Sequence, residues 1–134
     1  MSSDYGMQAK LNVPYDEAVE QATAALKEEG FGVLTEIDVK ATLKKKIDAD
    51  FRRYVILGAC NPNLARQALQ SQLEVGLLLP CNVIVYETGE GQSVVSIVNP
   101  MAMMGVADSE GLNAVAEQAN EKLLRVVQKL AAGA

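Results

Sequence analysis

The chain contains no histidine and no tryptophan, and its aromatic residues are limited to two Phe and four Tyr. Without histidine, Ser-His-Asp and Cys-His catalysis are excluded within this chain, as are zinc sites built on imidazole. Any general base must be a carboxylate, a lysine, a tyrosine or a thiolate. There are only two cysteines, Cys60 and Cys81. Alone they cannot complete a tetrahedral structural zinc site in one subunit. Basic surplus is also missing: 12 Lys and Arg face 17 Asp and Glu, a net charge of −5. Such a balance leaves no general footprint for nucleic acid. No apolar run approaches the roughly 18 residues of a membrane-spanning helix. The N-terminal stretch MSSDYGMQAK lacks the basic-then-apolar pattern of a secretory signal. A cytoplasmic location is therefore expected, with both thiols reduced.

What is present suits one domain over residues 1–134, since 49% of the residues are hydrophobic. With so few aromatics, the core must be aliphatic. Residues 7–13 read as a first strand. A helix follows from Pro14, with Asp16 and Glu17 at its positive end and Val19, Ala22 and Leu26 on one stripe. Gly30 reads as its stop. FGVLTEIDV reads as a second strand, KATLKKKIDAD as a short helix and FRRYVILGA as a third strand. In NPNLARQALQSQLE, Asn61 can cap a helix that Pro62 opens. CNVIVYET and QSVVSIVN form a hairpin across GEG. Residues 99–107 read as a loop or short turn, and DSEGLNAVAEQANEKLLRVVQKL as a long helix with an apolar stripe from Leu112 to Leu130.

The expected order is β-α-β-(short α)-β-α-β-β-α, an α+β fold in two layers. Its sheet has five mostly antiparallel strands, and three main helices cover it. The strands are apolar on both faces: Val83 and Val85 oppose Ile84 and Tyr86, and Val55 and Leu57 oppose Tyr54 and Ile56. Helices on one side would leave the other apolar face open. Either the C-terminal helix covers it or a second subunit does, and a homodimer is the favoured expectation.

Four stretches occur in order: AALKEEGFGVLTEIDVKATLKKKI, ILGACNP, LLLPCNVIVYE and VNPMAMM. Together they make the chain resemble domain of unknown function family 302 over nearly its whole length. The resemblance implies a small α+β protein built on an antiparallel sheet and assembled as a dimer. It further implies a bacterial or archaeal source and no established activity. The motif positions it carries over are Cys60, Asn61, Pro62, Leu79, Pro80, Cys81, Asn82, Tyr86, Glu87 and Pro100.

Cys60 stands at a strand end just before a helix N-terminus, where backbone N–H groups favour a thiolate. The competing reading, favoured by how often free cysteine is buried, is a small buried hydrophobe. Cys81 begins a strand after Pro80 and shares a face with Val83, a core position unless the two strand ends meet. NPMAMMG places Met101, Met103 and Met104 together; cysteine and methionine sulfurs suit Cu(I), though methionine also fills gaps. Lys44, Lys45 and Lys46 with Arg52 and Arg53 are the only basic cluster, an anion site or a solvated face. Glu36, Asp38, Glu87 and Glu90 are acid–base candidates that no spacing brings together. The expectation is a binding or interaction module without a catalytic set. Its pocket would lie near the strand ends that carry Cys60, Asn61, Pro62, Pro80, Cys81, Asn82 and Pro100. The alternative is a thiol-dependent redox or soft-metal protein using Cys60 and Cys81. Neither a cofactor nor a particular small-molecule ligand can be named from these residues.

Overall fold

Pro14, Asp38, Asn61 and Asn99 each stand where an extended segment turns into a helix, and these four junctions set the outline of the molecule. In the computed structural model, which describes residues 5–107 and 109–133, strand β1 is Gly6–Leu11 and helix α1 is Tyr15–Glu28. Strand β2 (Gly32–Asp38) runs directly into α2 (Val39–Ile47), and β3 (Tyr54–Cys60) leads to α3 (Pro62–Ser71). A short 3₁₀ segment, Leu73–Leu78, precedes β4 (Cys81–Gly89). The hairpin continues into β5 (Gln92–Val98), followed by α4 (Pro100–Met104) and α5 (Glu110–Ala132). Residues 1–4, Ala134 and Asp108, the last of which the sequence reading places at the head of the long helix, lie outside the described residues.

Local chemistry accounts for these boundaries. The Asp38 side chain accepts from the Ala41 N–H (2.9 Å), Asn61 from Leu64 (3.2 Å) and Asn99 from Met101 (2.9 Å). Each satisfies a donor that the first helical turn leaves orphaned. At the far end of α1, Gly30 adopts φ +83°. The Gly30 N–H bonds to the Lys27 carbonyl, and the Phe31 N–H reaches back to Leu26 (2.9 Å). That is a Schellman stop, completed by burial of both Phe31 and Leu26.

The sheet order is β1-β5-β4-β3-β2, antiparallel throughout. Met7, Ala9 and Leu11 of β1, Val55 and Leu57 of β3, Val83 and Val85 of β4, and Val95 and Ile97 of β5 join one buried cluster. Leu26 of α1, Leu64 of α3 and Leu112, Leu123 and Leu130 of α5 belong to the same cluster. The α+β two-layer architecture expected from the sequence is therefore the one found. Strand ends shift by up to three residues from the sequence reading, and two elements differ in kind. The third helix ends at Ser71 and gives way to the 3₁₀ segment, and residues 100–104 form a helix where only a loop or turn was expected.

The long C-terminal helix belongs to the core on the helical side, so it does not cover the opposite face. There, Tyr54 faces Tyr86 in register and their rings stack at 5.5 Å, while Ile56 lies opposite both Ile84 and Ile37. Phe51 packs against Tyr54 at 6.1 Å. Among the described residues no helix is long and apolar enough to cross a membrane.

Candidate functional site

The fold brings the end of β3 and the start of β4 together, because Ala59 and Cys81 are direct register partners. Phe31, just ahead of β2, and Leu34 approach this pole from one side. Helices α3 and α5 cross it from the helical side. Beside Leu64, Leu69 and Val115, much of what they present is small: Ala65 and Ala68 from α3, Ala116 and Ala119 from α5, and Ala59 from the sheet itself. A helix pair carrying leucine at those positions would fill the space. Alanine leaves a cavity of about 320 Å³.

The cavity is lined by apolar carbon and sulfur, and no charged side chain contributes to it. Thr35 and Asn61 are its polar residues. Asn61 is already engaged, since its Oδ1 accepts from Leu64 and its Nδ2 donates to the Glu29 carbonyl at 3.5 Å. A Cβ on Gly30 would stand 3.0 Å from that Nδ2, so glycine is needed there for space as well as for its positive φ.

Of the candidate residues, Cys60, Asn61, Pro80, Cys81 and Pro100 converge on the cavity, joined by Leu79. Pro62 and Asn82 do not. Pro62 is an exposed residue of the first turn of α3, and Asn82 is exposed and paired with Gly58 on the helix-free face. Tyr86 lies on that face too, and Glu87 lies toward the far end of β4. Phe31 and the alanines were not singled out from the sequence, because alanine in a helix reads simply as a helix former. Met104, one of the three methionines flagged above, reaches the cavity and is 3% exposed.

Both cysteines are free. The expectation that the α3 N-terminus favours a Cys60 thiolate is reversed. Burial pushes the Cys60 thiol up, and the Asn61 side chain has already taken the Leu64 N–H. Burial likewise pushes Cys81 up to about 11, with a further upward contribution from the charge of Cys60. Alkylation of the native protein should therefore begin at Cys60, which is partly exposed, and reach Cys81 only as the pH approaches 11. The raised Cys81 value also fixes the sign of its linkage to folding. Its contribution to stability is full below the ordinary thiol value of 9 and is lost as the pH rises from there through 11. Peptide mapping after a pH series of iodoacetamide labelling checks this, and a Cys81 that labels readily at pH 8 would contradict it.

The remaining candidates lie elsewhere. Lys44 of the basic run is neutralised by Asp48 (2.9 Å) and Asp50 (3.5 Å). Arg53 bonds to Asp16 at 2.5 Å and covers the Tyr15 ring at 4.5 Å. Asp38 serves as a helix cap. At the opposite pole, Lys40, Arg52, Arg53 and Glu87 share a shallow, mixed-charge cleft.

A five-stranded antiparallel sheet, backed by helices that leave an apolar cavity at one pole, defines a small α+β protein. No curated protein matches the chain in sequence. The family model described as "Domain of unknown function DUF302" matches residues 7–130, and the chain belongs to that family. A solved structure described as an uncharacterized conserved DUF302 protein from Bacillus stearothermophilus is similar throughout. Its TM-score is 0.86 at 29% sequence identity, over 96% of this chain and 99% of that one. Neither description carries an activity, so function has to be argued from the site.

Proposed function

We propose that the chain is a non-catalytic binding module, acting in the cytoplasm, that takes an uncharged, largely apolar small molecule into the cavity beside Cys60 and Cys81. One observation carries this reading: a 320 Å³ space lined by alanine, leucine, valine, proline and sulfur, with no charged group to solvate an ion. At about 30 Å³ per water-sized group, it has room for roughly ten such groups. That suits a short aliphatic chain or a fused pair of aromatic rings. Filling the space tests the reading. Ala68→Leu with Ala119→Leu should abolish the fluorescence gain of a neutral probe such as 1-aminonaphthalene while keeping the native circular dichroism. Unchanged probe binding in a folded double variant would remove the proposal.

The assembly that fits this module is a homodimer closed through the helix-free face. Tyr54, Ile56, Ile84 and Tyr86 form a central apolar patch there, with Ile37 and Phe51 at its margin. A two-fold axis lays this patch on its own copy, with no charged side chain among those six residues. Sedimentation should give about twice the chain mass of 14.3 kDa, and Ile84→Asp should give the single chain. A wild-type monomer at micromolar concentration removes the dimer.

A second reading is a reversible Cys60–Cys81 disulfide, because both cysteines border the cavity. Cys60 is one residue beyond the partner of Cys81. A strand spacing near 4.8 Å and a rise near 3.3 Å put the two Cα atoms about 6 Å apart, but neighbouring residues of a strand point to opposite faces, so the diverging Cβ vectors weigh against the bond. The raised thiols weigh against it, because a reactive cysteine needs thiolate character. A thiol that titrates below its ordinary range in the alkylation series would favour this second reading.

A further inference from the structure

We propose that a second copy of the chain completes the wall of the cavity, so that dimerisation and the binding of a neutral apolar ligand strengthen each other. This coupling rests on the ligand and dimer readings above; what it adds is that their two surfaces adjoin. Along β3, Tyr54, Ile56, Gly58 and Cys60 point to the helix-free face, while Val55, Leu57 and Ala59 point to the helices. Cys81, the partner of Ala59, faces the helices as well. Thr35, the partner of Gly58, lies on the helix-free face. A Cβ on Gly58 would overlap Thr35 Oγ1 and stand 2.9 Å from Pro80 Cγ, which puts Pro80 over that face too. Thr35, Cys60 and Pro80 all border the cavity, and so do Ala59 and Cys81 on the other side of the sheet. The cavity therefore passes round the sheet end and opens on the helix-free face. Its rim begins two residues along β3 from Ile56, a distance of about 7 Å.

Exposure, charge and area point to a second copy as the cover of that opening. Leu34 stands where the β2 register shifts between Val33 and Thr35, and it lines the cavity while remaining 69% exposed. A wall residue left in water is unfinished in the single chain. Of the strand residues that register puts on the helix-free face, Lys10 alone is charged, and it sits on the outer strand β1. Charged groups are depleted at the centre of protein interfaces, and this face meets that condition. The apolar patch centred on Ile56 and Ile84 spans three strands about 4.8 Å apart and two rows about 7 Å apart, so it covers about 200 Å². A stable interface takes about 800 Å² from each partner. Even the full face, five strands wide and about 23 Å long, supplies only about 550 Å². A dimer held by this face must therefore include the row of Thr35, Gly58 and Asn82 beside the opening.

A ligand seated in the opening is then covered by the partner. A tenfold gain in its affinity corresponds to about 55 Å² more of its apolar surface removed from water. Coupling between two binding events is reciprocal, so each ligand strengthens association by the same factor. With one ligand in each chain the factor acts twice, and a tenfold coupling strengthens the dimer about 100-fold.

Titration with 1-aminonaphthalene, with sedimentation of the same samples, tests the coupling. The dimeric wild type should bind the probe about tenfold more tightly than monomeric Ile84→Asp, whose substitution lies outside the cavity. Saturating probe should strengthen wild-type association about 100-fold. Asn82→Arg, on the row between the patch and the opening and outside the cavity lining, should weaken association by about tenfold or more. Dilution of the wild type through its dimer dissociation should show the same affinity difference with no substitution, so a variant that fails to fold does not decide the matter. Equal or tighter probe binding by the monomer overturns the coupling and leaves both the cavity and the dimer standing. Unchanged association of Asn82→Arg also overturns it, since the contact then stops short of the opening. A wild type that binds no probe removes the ligand reading, one that stays monomeric removes the dimer, and the coupling falls with either.

Discussion

Phe31→Ala is expected to lower the free energy of unfolding by about 3–5 kcal/mol, the range for removing a buried aromatic ring. Phe31 is 2% exposed and heads the largest fully buried side chains. Two roles combine in it. Its ring walls the cavity, and its backbone N–H closes the Schellman stop of α1 by bonding to Leu26. The substitution keeps the backbone bond and removes the apolar contact that accompanies the motif. It also joins new empty space to an existing void, so collapse of the surroundings cannot recover the loss. Urea unfolding should show a lower midpoint with an unchanged slope. A loss under 1 kcal/mol would show that the ring is not the wall described here. The variant should retain probe binding and accept a bulkier probe than the wild type does.

Gly58→Val should be the next most damaging change, by about 1–3 kcal/mol through overpacking alone. Gly58 lies inside the sheet, between Thr35 on β2 and Asn82 on β4. A Cβ there would overlap Thr35 Oγ1 and come within 2.9 Å of Pro80 Cγ. Thr35 and Pro80 meet over bare backbone, and both line the cavity. A side chain at 58 therefore pushes the β2 edge outward. A double-mutant cycle isolates the cause. Thr35→Ala should recover part of the loss in Gly58→Ala, with a coupling of about 0.5–3 kcal/mol. Strictly additive effects would contradict the close approach.

The sequence made the element junctions readable because they are local. Asn61-Pro62 and Gly30 act within one turn of chain, and the structure places a cap, a helix start and a left-handed stop there. The two apolar faces of β3 and β4 were equally legible, since alternation needs no partner. The cavity was not. It is made by an absence of side-chain volume at Ala68, Ala116 and Ala119, on helices that meet only in three dimensions. The acidity of Cys60 was misread for a related reason. The dipole of α3 is a local quantity, whereas the burial that outweighs it comes from remote residues. Met104 looked like loop filler until α4 turned it inward.

Helix α5 supplies Val115, Ala116 and Ala119 to the cavity, and it follows every other wall element in the chain. It is fastened to the end of α1 by Arg125 on Glu29 (2.8 Å) and by Lys129 on Glu28, across about a hundred residues. On the ribosome, the sheet and the first four helices emerge before this wall exists. A growing chain thus displays both sulfurs of Cys60 and Cys81 on an unroofed sheet end. The arrival of α5 decides when that end becomes a compartment, and whatever occupies it must enter afterwards or be folded in.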